Sequence, residues 1–539
     1  MRTRLLLLLM LVAAFLLTAC QTSPEDKIRA RMDEIIRFRV ENKDFSGSVL
    51  VAKGDHIIFD KSYGLSNLEW SIPNTPTTKF RLGSLTKQFT AAAILLLEEQ
   101  GKLRIEDLVK THLPDAPPAW DKVTLYHLLT HTSGMPAPDD EPWRLSVGPT
   151  ERVIALFRNK PLNFEAGSQY AYSNAGYIVL GYLIERISGQ LYGDFLREKI
   201  FIPLGMKDTG VDFNASIISQ RAAGYSSGLD GMINAQFFSM ASSIGSGALY
   251  STTEDLNRWM QGLFGGKVLS AASLKKMTTP FKENYAMGVE VTQVKGRDVI
   301  RHGGSIAGFN TYMTWYPDEK IGIVALANLE GDSSVGVVRR LSQIIHDELV
   351  VLPSEKHEFQ LSEDAMTKFT GSYEFSPDTN MVITTSNGKL IASLGAQQSK
   401  ELIAESATRF FARDIDAQIE FEQDTAGSVT GFVLEQDGSE SRAKRVAERL
   451  EVQLPKEVLL RYAGSYQVAP GDEVVMTVED GRLMAKPPSD PKQQLYAESE
   501  SKFFFKTFNG QVEFTLNKAG QTTGLIFHSA GQEIHASRR

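Results

Sequence analysis

The last third of this chain is written twice, and that repetition limits the possible folds more than any other feature. Phe369-Thr370-Gly371-Ser372-Tyr373 recurs as Tyr462-Ala463-Gly464-Ser465-Tyr466, and Asn387-Gly388-Lys389-Leu390 recurs as Asp480-Gly481-Arg482-Leu483. Ala404-Glu405-Ser406 recurs as Ala497-Glu498-Ser499 and Thr430-Gly431 as Thr523-Gly524, every pair standing 93 residues apart. A constant offset leaves no net insertion between copies, so this is a pair of homologous domains rather than one irregular tail. Each copy alternates short apolar segments with turn signals, as a small antiparallel barrel or sandwich does. We expect two barrels, over residues 353–449 and 450–539.

Upstream the texture differs. An amphipathic helix is expected over Lys27 to Glu41, followed by β-rich runs at Ser48 to Ala52 and Ile57 to Tyr63 around the turn Lys53-Gly54-Asp55. Two more β runs, Thr311 to Tyr316 and Ile321 to Ala327, flank Pro317-Asp318-Glu319-Lys320, and Val337 to Leu349 has helical spacing. Strands at both ends of a mainly helical stretch predict an α+β domain, residues 29–352, with one antiparallel sheet and a helical subdomain. The chain is 539 residues long, too long for one core, and carries a net charge of -8 with its acidic residues dispersed. No basic face is offered to a phosphate backbone, so nucleic acid is not an expected partner.

The first residues read as an export signal: Arg2 and Arg4, an apolar run from Leu5 to Leu17, then Leu17-Thr18-Ala19-Cys20. The run is shorter than the roughly 20 residues a membrane-spanning helix needs. Its end resembles the bacterial lipoprotein lipobox, which implies a signal peptide over 1–19, lipidation of Cys20 and a short anchored spacer over 20–28. Cys20 is the sole cysteine, so no intrachain disulfide can form. Gln21 rather than an acidic residue after it implies, in a Gram-negative host, the outer membrane facing the periplasm.

Ser-x-x-Lys occurs six times, with Ser84, Ser273, Ser386, Ser489 and Ser499 among its serines, and context must choose among them. Ser386 and Ser489 fall in turns, Ser499 in a β-type segment, and Ser273 reads as an exposed cap of a charged helix. Ser84 follows Gly83 and opens a stretch to Gln100 whose centre, Thr90 to Leu97, is apolar all round, as a helix buried in a domain centre is. Lys87 lies one turn on, on the same face. A helix N-terminus stabilises an oxyanion, and a serine at its ordinary pKa needs a neighbouring base that a desolvated lysine can supply. Tyr172-Ser173-Asn174 is the only Tyr-x-Asn among sixteen tyrosines, and His302-Gly303-Gly304 the only His-x-Gly among nine histidines.

These ordered motifs, with Leu128-Leu129-Thr130-His131-Thr132-Ser133-Gly134 and Gly247-Ala248-Leu249-Tyr250-Ser251-Thr252, resemble the penicillin-recognising serine hydrolases over roughly Arg29 to Leu349. That group includes class C β-lactamases, D-alanyl-D-alanine carboxypeptidases, D-aminopeptidases and esterases. The resemblance implies Ser84 as acylated nucleophile and Lys87 with Tyr172 sharing proton transfer. It gives Asn174 the holding of Lys87 and substrate, and it lines the opposite wall with His302. The N–H of Ser305, after Gly304, would complete an oxyanion hole with that of Ser84. No metal or organic cofactor is implied.

Where many relatives carry lysine to bind a substrate carboxylate, this chain has His302. An imidazole is mostly neutral near pH 7, which argues against strong β-lactamase or carboxypeptidase activity. The expectation is a peptidase or amidase acting on D-amino-acid-containing peptides. A carboxylesterase or β-lactamase, and a penicillin-binding sensor that acylates without turnover, are the alternatives. Gly224-Tyr225-Ser226-Ser227-Gly228 matches the Gly-x-Ser-x-Gly elbow but lacks the strand-to-helix context, and reads as a loop. The repeats resemble lipocalin-like barrels appended to D-aminopeptidases, which implies either restriction of the active-site mouth or a spacer role.

Overall fold

The computed structural model describes residues 23–539 apart from 137–140, 229–230, 377–378, 395–398, 448, 470–471, 489–491, 507, 509 and 530–531. The expected leader and Cys20 lie outside the described residues, as does the Ser-x-x-Lys serine at Ser489. Contacts divide the chain into two units, up to Pro353 and from Ser354 onward.

The first unit begins with α1, Pro24–Glu41, whose N-cap Ser23 and Asp26 form a reciprocal capping box. Two strands follow, β1 (Gly47–Lys53) and β2 (His56–Tyr63), joined at Gly54, which takes φ 55° in the tight turn. The helical middle is built on α2 (Thr86–Glu99) and α3 (Asn174–Ser188), packed against each other. Every residue of α2 from Thr86 to Leu95 is buried, which is why its sequence lacks a polar face. The chain then returns through β3 (Glu290–Val294), β4 (Arg297–Ile306), β5 (Phe309–Tyr316) and β6 (Ile321–Ala327), and closes with α4 (Ser333–Ile345).

The sheet order is β3-β4-β5-β6-β1-β2, antiparallel throughout, so β6 pairs with β1 across nearly the whole chain length of the unit. All of β6 is buried because both faces are covered. Ile323 and Ala325 pack with Met32, Ile36, Val337 and Leu341 from α1 and α4, while Val324 and Leu326 face the helical middle. The twofold alternation of a strand is thus divided between two cores.

The second unit holds two closed eight-stranded antiparallel barrels, one over Gly371 to Val446 and one over Gly464 to Arg538. Their registers coincide at the 93-residue offset: Gly371 pairs with Ile383 and Gly464 with Met476. Their closures coincide too. Tyr373 donates its hydroxyl to Phe369 O at 2.7 Å, as Tyr466 does to Tyr462 O at 2.8 Å. Arg445 donates to the carbonyls of Lys368 and Thr370, and Arg538 to those of Arg461 and Ala463.

Two local expectations are corrected. Ser270, not Ser273, caps the helix Ala271–Met277: its hydroxyl accepts from Ser273 N–H at 3.2 Å, which places Ser273, buried, inside the first turn. The Gly224 to Gly228 segment is not a loop: Tyr225–Gly228 is a strand pairing with Gly231–Asn234. The next element among the described residues is the strand Gly231–Asn234 rather than a helix, so the elbow geometry is still lacking.

Candidate active site

Ser84 stands in a single 3-10 turn, Gly83–Leu85, that runs straight into α2. The sequence places it at the start of the α-helix itself; the turn is tighter because Gly83 enters it at φ 54°. That conformation suits glycine, and space demands it as well, since a Cβ there would lie 2.9 Å from Ser305 N. Gly304, on β4, is equally confined: its Cβ would lie 2.0 Å from Leu82 O and 3.1 Å from Ser84 N. Thr311 on β5 fastens the turn to the sheet, its hydroxyl donating to Leu82 O at 2.8 Å. Two glycines therefore let the backbone of Ser84 and the edge of β4 approach until the amides of Ser84 and Ser305 are neighbours.

Lys87 is fully buried, and its Nζ lies 2.9 Å from Ser84 Oγ, 2.8 Å from Asn174 Oδ1 and 2.9 Å from the carbonyl of Ser246. It also sits over the rings of Tyr172, at 4.7 Å, and Tyr177, at 5.5 Å. Burial drives its pKa well below the ordinary lysine value. A neutral amine has two N–H donors and one lone pair. Asn174 Oδ1 and Ser246 O can only accept from it, so the lone pair falls to the Ser84 hydroxyl.

Tyr172 precedes the N-cap of α3, Ser173, whose hydroxyl accepts from Ala175 N–H. Asn174 is the first residue of that helix, so one cap positions both members of the Tyr-x-Asn motif. The Tyr172 ring is partly open to solvent, 40% exposed, with its hydroxyl directed to Ser84. Burial of the hydroxyl raises its pKa above the usual tyrosine value, and the hydrogen bond to Ser84 opposes that only in part. Tyr172 is therefore a phenol across the neutral range.

His302 lies on β4, buried, its Nδ1 2.6 Å from the carbonyl of Gly303 and its Nε2 3.0 Å from the hydroxyl of Tyr285. A carbonyl only accepts, so Nδ1 carries the proton and Nε2 accepts from Tyr285. Burial first, and then the nearby Lys87, push the His302 pKa down to about 4. It is neutral at any pH near 7.

Two contributors escaped the sequence reading. His131 appears there only inside a flanking motif, yet it holds both backbone amides beside Tyr172. Ala171 N–H donates to His131 O at 3.0 Å and Ser173 N–H to His131 Nδ1 at 3.1 Å. The residue turns back into reach because it takes φ 56°, just after the helix Leu125–Leu129. Its buried ring lies tilted against those of Tyr172, Tyr177 and Tyr285, with centroids at 4.2, 5.1 and 4.7 Å, and burial pushes its pKa well below the ordinary histidine value. Tyr285, which orients His302, carries no sequence signal at all. Among the described residues no group of His, Cys, Asp and Glu is arranged to hold a metal.

Ser84, Lys87, Tyr172, Asn174, His302, Gly304 and Ser305, from three segments of the chain, thus converge on one place. An antiparallel sheet beside a buried helix that starts at a serine and its lysine defines a serine hydrolase. The chain belongs to the beta-lactamase family, which matches residues 26–346. Residues 355–446 and 448–538 each match a Domain of unknown function (DUF3471). Penicillin-binding protein 4* of Bacillus subtilis is 31% identical over 441 residues, 75% of this chain and 96% of that protein. A penicillin-binding protein from Bacillus halodurans superposes with a TM-score of 0.51 at 29% identity, covering 58% of this chain and 98% of that one. The D-amino acid amidase from Ochrobactrum anthropi SV3 shares the fold, with a TM-score of 0.54, 23% identity and coverage of 60% and 99%.

Proposed function

We propose that the protein hydrolyses amides, with D-amino-acid peptides and their amides first and small esters second, through an acyl-enzyme at Ser84. One observation carries the reading: the buried Lys87 amine reaches Ser84 Oγ at 2.9 Å while its two N–H groups are taken by Asn174 and Ser246. Ser84 Oγ attacks the carbonyl carbon and its proton passes to Lys87, while the amides of Ser84 and Ser305 receive the oxyanion. The C–N bond then breaks, the nitrogen taking the proton from Lys87 through the Tyr172 phenol. Water adds to the ester and gives a proton to Lys87; the C–Oγ bond then breaks, Ser84 Oγ takes that proton from Lys87, and the acid is released.

The neutral His302 supports substrates without a free carboxylate against β4. The fold shared with the D-amino acid amidase is the reason to try D-amino-acid amides first. The test follows hydrolysis of a D-alanine anilide, its L counterpart, a nitrophenyl ester and a chromogenic cephalosporin by the wild type and Ser84→Ala. The reading requires fastest turnover of the D-anilide, lost in the variant. A cephalosporin turned over faster than the anilide and ester, or acylation without any turnover, would sink it.

A further inference from the structure

The two barrels are the same fold in the same register, so each is a control for the other, and their interiors differ at one end. In the first, Phe375 and Phe432 face each other inside the barrel with ring centroids 5.4 Å apart. At the 93-residue offset the second barrel has Val468 and Leu525. Strand alternation puts Val468 on the inward face with the buried Tyr466, and Phe527 on that of the buried Leu525. Where the first barrel has its pair of rings, the second has a cavity of about 430 Å³ lined mainly by apolar side chains, Val468 and Leu525 among them. That volume is in the range of small-ligand sites, roughly 300–1,000 Å³.

The mouth differs as well. Phe505, Phe508 and Ile534 line the cavity, and their counterparts in the first barrel are Ala412, Ile415 and Ser441. Phe505 and Phe508 stack at 4.5 Å, with Phe527 6.2 Å from each. Val468 and Ile534 are 37% and 40% exposed, so apolar side chains lie open to solvent around one opening. Among the described residues that line the cavity, the one that ionises is Asp472, an acid.

We infer that the second barrel is a binding site for a small molecule with a medium alkyl chain and a neutral or cationic head, the chain filling the lumen and the head meeting Asp472. A fatty carboxylate is disfavoured by the same acid. The first barrel, with Phe375 and Phe432 in place, does not take such a ligand.

The experiment titrates the purified full-length protein with 1-octanol, octylamine and octanoate by calorimetry, beside the double variant Val468→Phe, Leu525→Phe. The variant restores the pair of rings the first barrel already accommodates, and its thermal unfolding checks that it folds. Ser84→Ala is run in parallel so that binding at the hydrolytic site is recognised. The inference expects saturable 1:1 binding of octanol and octylamine, unchanged in Ser84→Ala, at least tenfold tighter than octanoate, and weakened at least tenfold in the ring-filled variant. Absence of saturable binding, undiminished binding by a folded ring-filled variant, or octanoate bound as tightly as octylamine would each overturn it.

Discussion

In the proposed mechanism Lys87 is the residue on which the chemistry turns. A lysine in water is protonated at neutral pH and useless as a base; Lys87 is buried without exposure, which holds its pKa well below the ordinary lysine value. A depressed lysine is neutral above its pKa and charged below it, so kcat/KM should climb as pH rises through that value and fall away on acidification. Burial carries the pKa of His302 down to about 4 and that of Tyr172 above the ordinary tyrosine range, and neither group is the base that takes the Ser84 proton. We therefore expect His302→Gln to keep the acid limb of the pH profile, even where it lowers the rate. A limb that vanishes in this variant would assign the titration to His302 instead. The pairing of Ser84 with Lys87 was legible in the sequence because residues three apart on a helix face the same way. The partners of Lys87 at Asn174 and Ser246 are 87 and 159 residues distant, beyond any local pattern.

At the scale of elements, two contacts set the distances of the site. The first is the approach of the Gly83–Leu85 turn to β4. Gly304→Ala forces a methyl group against Leu82 O and beside Ser84 N, which drives the two amides apart. Loss of one oxyanion donor costs about 10²–10³ in kcat, and a drop of that order is expected, with circular dichroism confirming the fold. Wild-type kinetics would show that β4 is not part of the oxyanion site. The second contact is the clamp of His131 on the amides of Ala171 and Ser173. His131→Ala should lower kcat roughly 100-fold, the cost of a displaced catalytic group, with KM changed far less. A KM effect alone would place His131 in binding and not in the positioning of Tyr172. The strands β1, β2, β5 and β6 and the helices α1, α2 and α4 were readable from apolar patterning to within a few residues, whereas α3, β3 and β4 were not picked out. The Tyr225–Gly228 hairpin was not, because its composition is that of a turn and only its partner strand makes it β.

For the whole molecule, the first unit closes both of its cores with residues up to Leu352. A chain ending at Pro353 should therefore unfold in one cooperative transition and turn over a small nitrophenyl ester, measured by thermal melting and initial rates. A truncated chain that melts without a transition would mean that the barrels complete the fold of the hydrolase. The barrels themselves were legible only because they are duplicated: the constant offset revealed what eight short strands conceal. What each one holds is decided by a few inward positions, among them 375 and 432 against 468 and 525, and repeat matching passes over such differences. The central claim is that Ser84 is acylated and that Lys87 makes it reactive. It is tested most directly by mixing protein with a slowly hydrolysed activated ester, quenching within seconds, and reading intact mass and the modified peptide by mass spectrometry. The account predicts one added acyl group, mapped to Ser84, absent in Ser84→Ala and slowed by orders of magnitude in Lys87→Ala. An acyl group on any other residue, or full-rate acylation of Ser84 without the Lys87 amine, would contradict it.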